Sequence, residues 1–279
     1  MKTSRAWPAL TLMLLSIGAA AEVGVVTLVE GNARLLRGAT WYKLVPDTRV
    51  EEADIIEASD RSHAQIEFAA GSLADLVGAG KVYLAPTAVK PAPAIVNMPN
   101  GWLKIAVKPP GLRLRTVPFD LVVVDGILVV HANGPAADFF VESGGGKLVE
   151  LMPNGADGPA RDVKSGEYGS KSTTAAFTTV PRAPKAFVDA MPRHFVDPLP
   201  TLAARIKSKP ALVAEREVTY AEAEPWLAGR DRPVFERRFA SRLRDPAFRN
   251  AMLPNIARYP AWDRLLNPEK YAPKATPVK

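Results

Sequence analysis

The chain of 279 residues contains no cysteine. This absence excludes disulfides, thiolate nucleophiles, zinc–thiolate sites and a lipid anchor on cysteine. Histidine is also scarce, with His63, His131 and His194 as the full set. These three form no HExxH motif and no closely spaced pair, so their spacing predicts neither a metal site nor a cofactor. We expect a fold that is stabilised by packing.

Long apolar runs are lacking except near the N-terminus. There, two basic residues precede an apolar run of roughly 15 residues, short of the roughly 20 that span a bilayer. Ala19 and Ala21 fit the small-residue pattern of a cleavage site. The pattern predicts a signal peptide over residues 1–21, with a retained membrane anchor as the alternative. We therefore expect a periplasmic or secreted protein with no transmembrane segment after cleavage.

Alternating apolar residues dominate residues 22–179. In the segment HAQIEF, Ala64, Ile66 and Phe68 share one face of a strand, as the period of two requires. Similar alternation recurs between glycine-rich turns. The pattern predicts a mainly β module over residues 22–179.

Two glycine-rich sites in this module predict tight hairpins. Asp125-Gly126 separates two apolar runs, and this dipeptide favours a two-residue turn. The glycines at 144–146 predict a second turn. Ser143 to Lys147 has some likeness to a phosphate-binding loop, but Leu148 stands where that motif needs serine or threonine. We therefore favour a hairpin there.

The rest of the chain changes character. Residues 180–200 hold five prolines and predict a stiff connector. Residues 201–279 show apolar residues at helical spacing and predict a small helical region. Thr219 with Glu222 fits a capping box, and Asp245 before proline fits a helix N-cap.

Five short motifs follow one another in the β module: Val29-Glu30-Gly31, Asp54-Ile55-Ile56, Ser62–Phe68, Gly71-Ser72 and Val82-Tyr83-Leu84. In these motifs the module resembles the FecR-type periplasmic domain, and the resemblance covers residues 23 to about 170. Ala70 departs from that family's pattern, which has aspartate before Gly-Ser, and Ile127 stands where threonine is usual.

This resemblance implies an antiparallel β-sandwich or β-solenoid type of module in the bacterial envelope. In regulator members of the family, the module receives a signal from an outer-membrane transporter and passes it through a membrane helix to a sigma factor. We predict a non-catalytic binding or interaction protein. The alternative is an accessory of a cell-surface signalling system that lacks the membrane relay.

Charge is distributed unevenly. Residues 22–179 carry 15 basic and 18 acidic residues, whereas residues 180–279 carry 19 basic and 11 acidic residues. A basic tail surface predicts attraction to an envelope protein or an anionic envelope polymer, with a solvated, locally paired surface as the alternative. Without a nucleic-acid motif, no nucleic-acid partner is expected. The candidate interaction surface consists of Arg237, Arg238, Arg242, Arg249 and Arg258.

An enzyme acting on envelope glycans is the third alternative. It would need two carboxylates about 5–10 Å apart across a cleft. The candidate pairs are Asp120 with Asp125 and Glu142 with Glu150. Sequence spacing gives no reason for either pair to converge, so we predict no catalytic residues.

Overall fold

The computed structural model describes residues 21–87, 92–152, 154, 156–229 and 231–271. The predicted signal peptide, apart from residue 21, lies outside these residues. Within the described ranges, no helix is both long enough and apolar enough to cross a membrane.

Fifteen strands form one hydrogen-bonded sheet. Among the described residues, β8 and β9 are the one parallel pair, so the predicted mainly antiparallel β region is confirmed. The strands are β1 Glu22–Glu30, β2 Ala33–Arg37, β3 Thr40–Lys43, β4 Arg49–Glu51, β5 Ile55–Ala58, β6 His63–Phe68, β7 Leu73–Ala85, β8 Ala94–Val107, β9 Leu112–Arg115, β10 Phe119–Asn133, β11 Ala136–Leu151, β12 Asp157–Lys164, β13 Tyr168–Ser172, β14 Thr178–Val180 and β15 Ala214–Glu217.

Short helices follow, which confirms the predicted helical C-terminal region. The α-helices are α1 Lys185–Ala190, α2 Tyr220–Leu227, α3 Arg232–Phe239, α4 Pro246–Met252 and α5 Pro260–Leu266. Single 3-10 turns link them at Arg193–Val196, Ala203–Arg205, Ala240–Arg244, Leu253–Arg258 and Pro268–Tyr271.

Local capping chemistry explains where the tail helices begin. The Thr219 side chain accepts from the Glu222 backbone N–H, and the Glu222 carboxylate accepts from the Thr219 backbone N–H. Asp245 caps α4 by accepting from the Ala247 backbone N–H at 3.0 Å. The predicted capping box and N-cap are both confirmed. Pro254 lies just beyond the end of α4, where the chain continues as a 3-10 turn.

Strand β2 shows how the core is divided. Leu35 and Leu36 are neighbours with no exposed surface, and their side chains point to opposite faces of the sheet. Leu35 packs among other strand residues in the main core. Leu36 packs with residues of the tail helices in a second core. The tail therefore covers an apolar sheet face that would otherwise meet water.

Both predicted hairpin turns are wrong, because β10 and β11 run straight through them. Asp125 pairs with Gly145, and Gly126 pairs with Gly144, at a register shift in the ladder. Gly144 has φ +73, and a Cβ there would lie 2.3 Å from the Asp125 carbonyl oxygen. These glycines therefore permit a β-bulge with close backbone contact. The turn itself lies near Gly134, between the two strands.

The proline-rich segment packs against the sheet. Phe187 and Phe195 are buried, and the buried Lys104 ammonium donates to the carbonyl oxygens of Phe195 and, at 3.1 Å, Asp197. Lys104 also pairs with Glu142 at 3.1 Å. The buried ammonium thus fixes a 3-10 turn on β8. The domain boundaries at 179 and 200 stay a prediction.

Candidate functional site

Arg238 attaches the helical tail to the sheet. Its guanidinium donates three hydrogen bonds to backbone carbonyl oxygens, at 2.7 Å to Leu36, 2.6 Å to Gly38 and 2.5 Å to Ala53. Burial lowers the pKa of Arg238 to about 10, although nearby Tyr83 and Asp54 act in the opposite direction. At neutral pH the group remains charged, and its donors are engaged inside the protein.

The other four predicted interaction arginines differ in accessibility. Arg242 donates to the Val218 carbonyl oxygen at 3.1 Å and forms an ion pair with Asp245 at 2.5 Å. Arg237 and Arg258 are exposed, and Arg249 is half-buried. Arg258 lies 3.7 Å from a Glu224 carboxylate oxygen, whereas Arg237 and Arg249 have no ion pair among the described residues.

These contacts limit the predicted arginine surface. Arg238 and Arg242 are engaged within the protein, which leaves Arg237, Arg249 and Arg258 to present charge. The structure thus assigns two of the five predicted arginines to internal contacts. Whether the remaining three bind a partner stays a prediction.

Aromatic packing holds the same interface. The ring of Tyr83 on β7 lies 5.0 Å from Phe235 and 6.1 Å from Trp226, measured between centroids. Trp262 is buried and donates its indole N–H to the Glu236 carbonyl oxygen at 2.9 Å. Trp226 and Trp262 are therefore packing anchors of the second core.

A groove opens beside this interface. Its volume is about 630 Å³, within the usual range of ligand pockets. One wall comes from β8, β9 and the segment after β9, and the other comes from the end of α2 and the start of α3. We call this the sheet–tail groove; its walls include Asn97, Arg115, Val117, Trp226, Asp231 and Arg232.

Some of the polar atoms that line the sheet–tail groove are hydrogen-bonded, and others are not. The Asn97 side-chain N–H donates to the Asp231 carboxylate at 2.8 Å, which links the two walls. The Asn97 Oδ1 atom is buried without a hydrogen-bond partner. Arg115 Nε makes no well-aligned hydrogen bond but lies 3.3 Å from an Asp120 carboxylate oxygen. An unpaired buried polar atom costs about 1–3 kcal/mol, so Asn97 Oδ1 is an acceptor that a bound molecule can use.

Two histidines meet a buried carboxylate on another part of the sheet. Nδ1 of His63 lies 3.2 Å from Oδ1 of Asp75, and Nε2 of His194 lies 3.5 Å from Oδ2 of the same carboxylate. Nε2 of His63 lies 3.2 Å from the Glu30 carboxylate. We call His63, Asp75 and His194 the histidine cluster.

Strand register explains why Glu30, His63 and Asp75 lie together. Glu30 of β1 stands opposite His63 of β6, and Val77 of β7 stands opposite His63 on the other side. Asp75, two residues before Val77, therefore shares the face of His63. His194 arrives from the 3-10 turn that Lys104 holds, 131 positions along the chain from His63. Sequence spacing gives no signal for that contact.

The carboxylates raise the pKa of His63. The main cause is the hydrogen bond with Asp75; burial opposes it, and Glu30 adds a smaller effect in the same direction as Asp75. The third histidine, His131, lies elsewhere and stacks on Trp102 with 4.3 Å between ring centroids.

Three of the four carboxylates considered for glycan hydrolysis, Asp120, Glu142 and Glu150, are engaged in ion pairs. The buried Asp120 pairs with Arg113 at 2.5 Å, and Glu150 pairs with Arg161 and, at 3.6 Å, with Lys171. Glu142 pairs with Lys104. These contacts give the carboxylates structural roles.

The comparisons with known proteins find only distant likeness. No family model matches the chain, and no curated protein matches it. Two crystal structures from Parabacteroides distasonis, each described as a "putative anti-sigma factor", align with part of it at 17% identity. The first has a TM-score of 0.38 and covers 46% of this chain, and the second has 0.39 and covers 49%. The chain spans 59% and 64% of the length of those two chains.

Proposed function

We propose that this chain is a non-catalytic binding protein of the bacterial envelope, and that the sheet–tail groove holds an envelope protein partner. The observation that carries this proposal is the groove itself, because the sheet and the helical tail each form one of its walls. Arg238 and the second core hold those walls together. The periplasmic location rests on the predicted signal peptide.

An envelope protein fits this groove better than an anionic polymer does. The walls combine apolar surface, including Trp226 and Val117, with charges of both signs from Asp231 and Arg232. A polymer of uniform negative charge would be repelled by Asp231. It would depend instead on the exposed Arg237 and Arg258. Arg238 and Arg242 are already engaged within the protein.

An accessory role in cell-surface signalling is the second candidate function. Such an accessory also acts by binding a partner, so the same groove serves both proposals. The resemblance of residues 23 to about 170 to the FecR-type domain supports this role. The identity of the captured partner separates the two candidates.

Site-specific photo-cross-linking tests the proposal. Val117 lines the groove and is 44% exposed. A benzophenone amino acid at this position, in the host that makes the protein, should capture one envelope protein on irradiation. The matched control is the same amino acid at Val124, which is 56% exposed and does not line the groove.

The outcomes are distinct. A protease-sensitive adduct formed from position 117 and not from position 124 supports the groove as the binding site. If the captured protein is an outer-membrane transporter or a sigma-factor regulator, the signalling role is favoured. No adduct at 117 above the level at 124 would contradict the proposal.

A further inference from the structure

The histidine cluster has the donor set of a transition-metal site. It offers two imidazole nitrogens and one carboxylate, which are ligands that Zn²⁺ and its neighbours accept. The three ligand atoms all lie within 4.8 Å of one another. None of the three residues lines the sheet–tail groove, so this site is separate from the proposed binding function.

The distances match the size of a coordination shell. Metal–ligand bonds of roughly 2.0–2.2 Å place neighbouring tetrahedral ligands about 3.4 Å apart. Nδ1 of His63 lies 3.2 Å from Oδ1 of Asp75, and Nε2 of His194 lies 3.5 Å from Oδ2 of the same carboxylate, so each nitrogen is near this spacing from one carboxylate oxygen. A small approach of the two rings would complete three corners of a tetrahedron.

The surroundings of His63 favour a cation at its Nδ1. Both ring nitrogens face carboxylates, Asp75 at Nδ1 and Glu30 at Nε2. A neutral imidazole has only one N–H and can donate to only one of them, so the second contact needs a positive charge, from a second ring proton or from a bound metal ion. A metal ion between Nδ1 and Asp75 lets Nε2–H donate to Glu30, which is the outer-shell pattern that orients metal-binding histidines.

The ligands are held in place before any ion binds. Asp75 is 3% exposed and lies in the middle of the sheet. His194 stands next to Phe195, which is fully buried and whose carbonyl oxygen accepts from Lys104. The His194 side chain is itself 43% exposed, so an ion can enter from solvent and keep water at a remaining position.

We propose that His63, Asp75 and His194 bind one divalent transition-metal ion of the Zn²⁺ class, with Glu30 orienting His63. The ion joins the 3-10 turn at Arg193–Val196 to strands β6 and β7. The ion thereby adds a metal-dependent attachment of the proline-rich segment to the one that Lys104 already provides.

Calorimetric titration of the untagged, chelator-treated protein with ZnCl₂ tests this site. We expect one ion per chain and no comparable binding of MgCl₂, because imidazole ligands disfavour Mg²⁺. His63→Gln and His194→Gln should each weaken Zn²⁺ binding at least about tenfold, and Glu30→Gln should weaken it by about tenfold. The control is His131→Gln, which should leave it unchanged.

Folding is monitored in the same samples. Because His194 is partly exposed, His194→Gln should keep the circular dichroism spectrum and the metal-free Tm, so its loss of binding reports the ligand. Cobalt absorption in the visible range provides a second readout of coordination by nitrogen and oxygen. No saturable binding of one ion, or equal binding by wild type, His63→Gln and His194→Gln, would overturn the proposal.

Discussion

Replacing Arg238 with methionine tests how the tail is attached to the sheet. Methionine keeps much of the side-chain volume but removes three hydrogen bonds to carbonyl oxygens. Hydrogen bonds from a charged donor contribute about 1.5–3 kcal/mol each, or about 5–9 kcal/mol together. The pKa of Arg238, lowered to about 10, corresponds to a net cost of about 3 kcal/mol for holding the charge in this buried position. We expect Arg238→Met to lower the free energy of unfolding by about 3 kcal/mol.

Urea denaturation followed by tryptophan fluorescence measures this loss, because Trp226 and Trp262 lie in the tail core. The matched control is Arg237→Met, which changes the adjacent exposed arginine and should stay within about 0.5 kcal/mol of wild type. Arg238→Lys should fall between the two, because one ammonium cannot reach three separated carbonyls as a guanidinium does. If Arg238→Met and Arg237→Met are equally stable, Arg238 does not attach the tail to the sheet.

Three further perturbations follow from the structure. Glu222→Gln should destabilise the protein by about 1–2 kcal/mol at pH 7. The pKa of Glu222 is lowered to about 2, mainly by the hydrogen bond from Arg216. The loss should shrink as pH falls from about 4.5 toward 2 in acid titrations of unfolding, because the stability from a lowered pKa disappears on protonation. The control Glu215→Gln should change the free energy of unfolding little at any of these pH values. Gly144→Ala should lower Tm, because the added Cβ would clash at the bulge. The control is Gly229→Ala, whose added Cβ would meet no atom closer than 3.8 Å. Equal Tm values for the two variants would refute the bulge. Lys104→Met should cost about 2 kcal/mol and speed limited proteolysis of residues 185–200, and unchanged cleavage there would contradict its anchoring role.

The sequence allowed the general architecture to be predicted, because local chemistry decides it. Period-two alternation in HAQIEF corresponds to β6, and Thr219 with Glu222 forms the capping box that was predicted. Such features depend on residues a few positions apart. The same local logic failed at Asp125-Gly126, because a glycine that permits a turn equally permits a bulge. Long-range pairing with β11 selected the bulge.

The candidate sites could not be predicted, because they depend on contacts between residues that lie far apart in the sequence. His63 and His194 meet only because the proline-rich segment folds back and Lys104 fixes it. Arg238 reads in the sequence as one of several surface arginines, yet its partners lie about 200 positions earlier in the chain. Strand β15 was hidden within a region whose pattern is mainly helical. Tertiary structure alone places these residues together.

The sheet–tail groove exists only if the tail is part of the same folded unit as the sheet, since the groove needs both walls. Thr40 and Glu217 face each other across β3 and β15, and the Thr40 hydroxyl donates to the Glu217 carboxylate at 2.8 Å. Opposed residues in antiparallel strands have Cα atoms about 4.5–5.5 Å apart, a distance that a disulfide spans. The wild-type chain has no cysteine to interfere.

Oxidation of the Thr40→Cys/Glu217→Cys variant is therefore the most direct measurement. We expect an intramolecular disulfide in nearly every folded molecule, detected by mass spectrometry after thiol alkylation. The control pair Thr40→Cys/Arg216→Cys should stay reduced, because its two side chains point to opposite faces of the sheet. If the first pair stays reduced, or if both pairs oxidise equally, the tail is not docked as described and the sheet–tail groove does not exist.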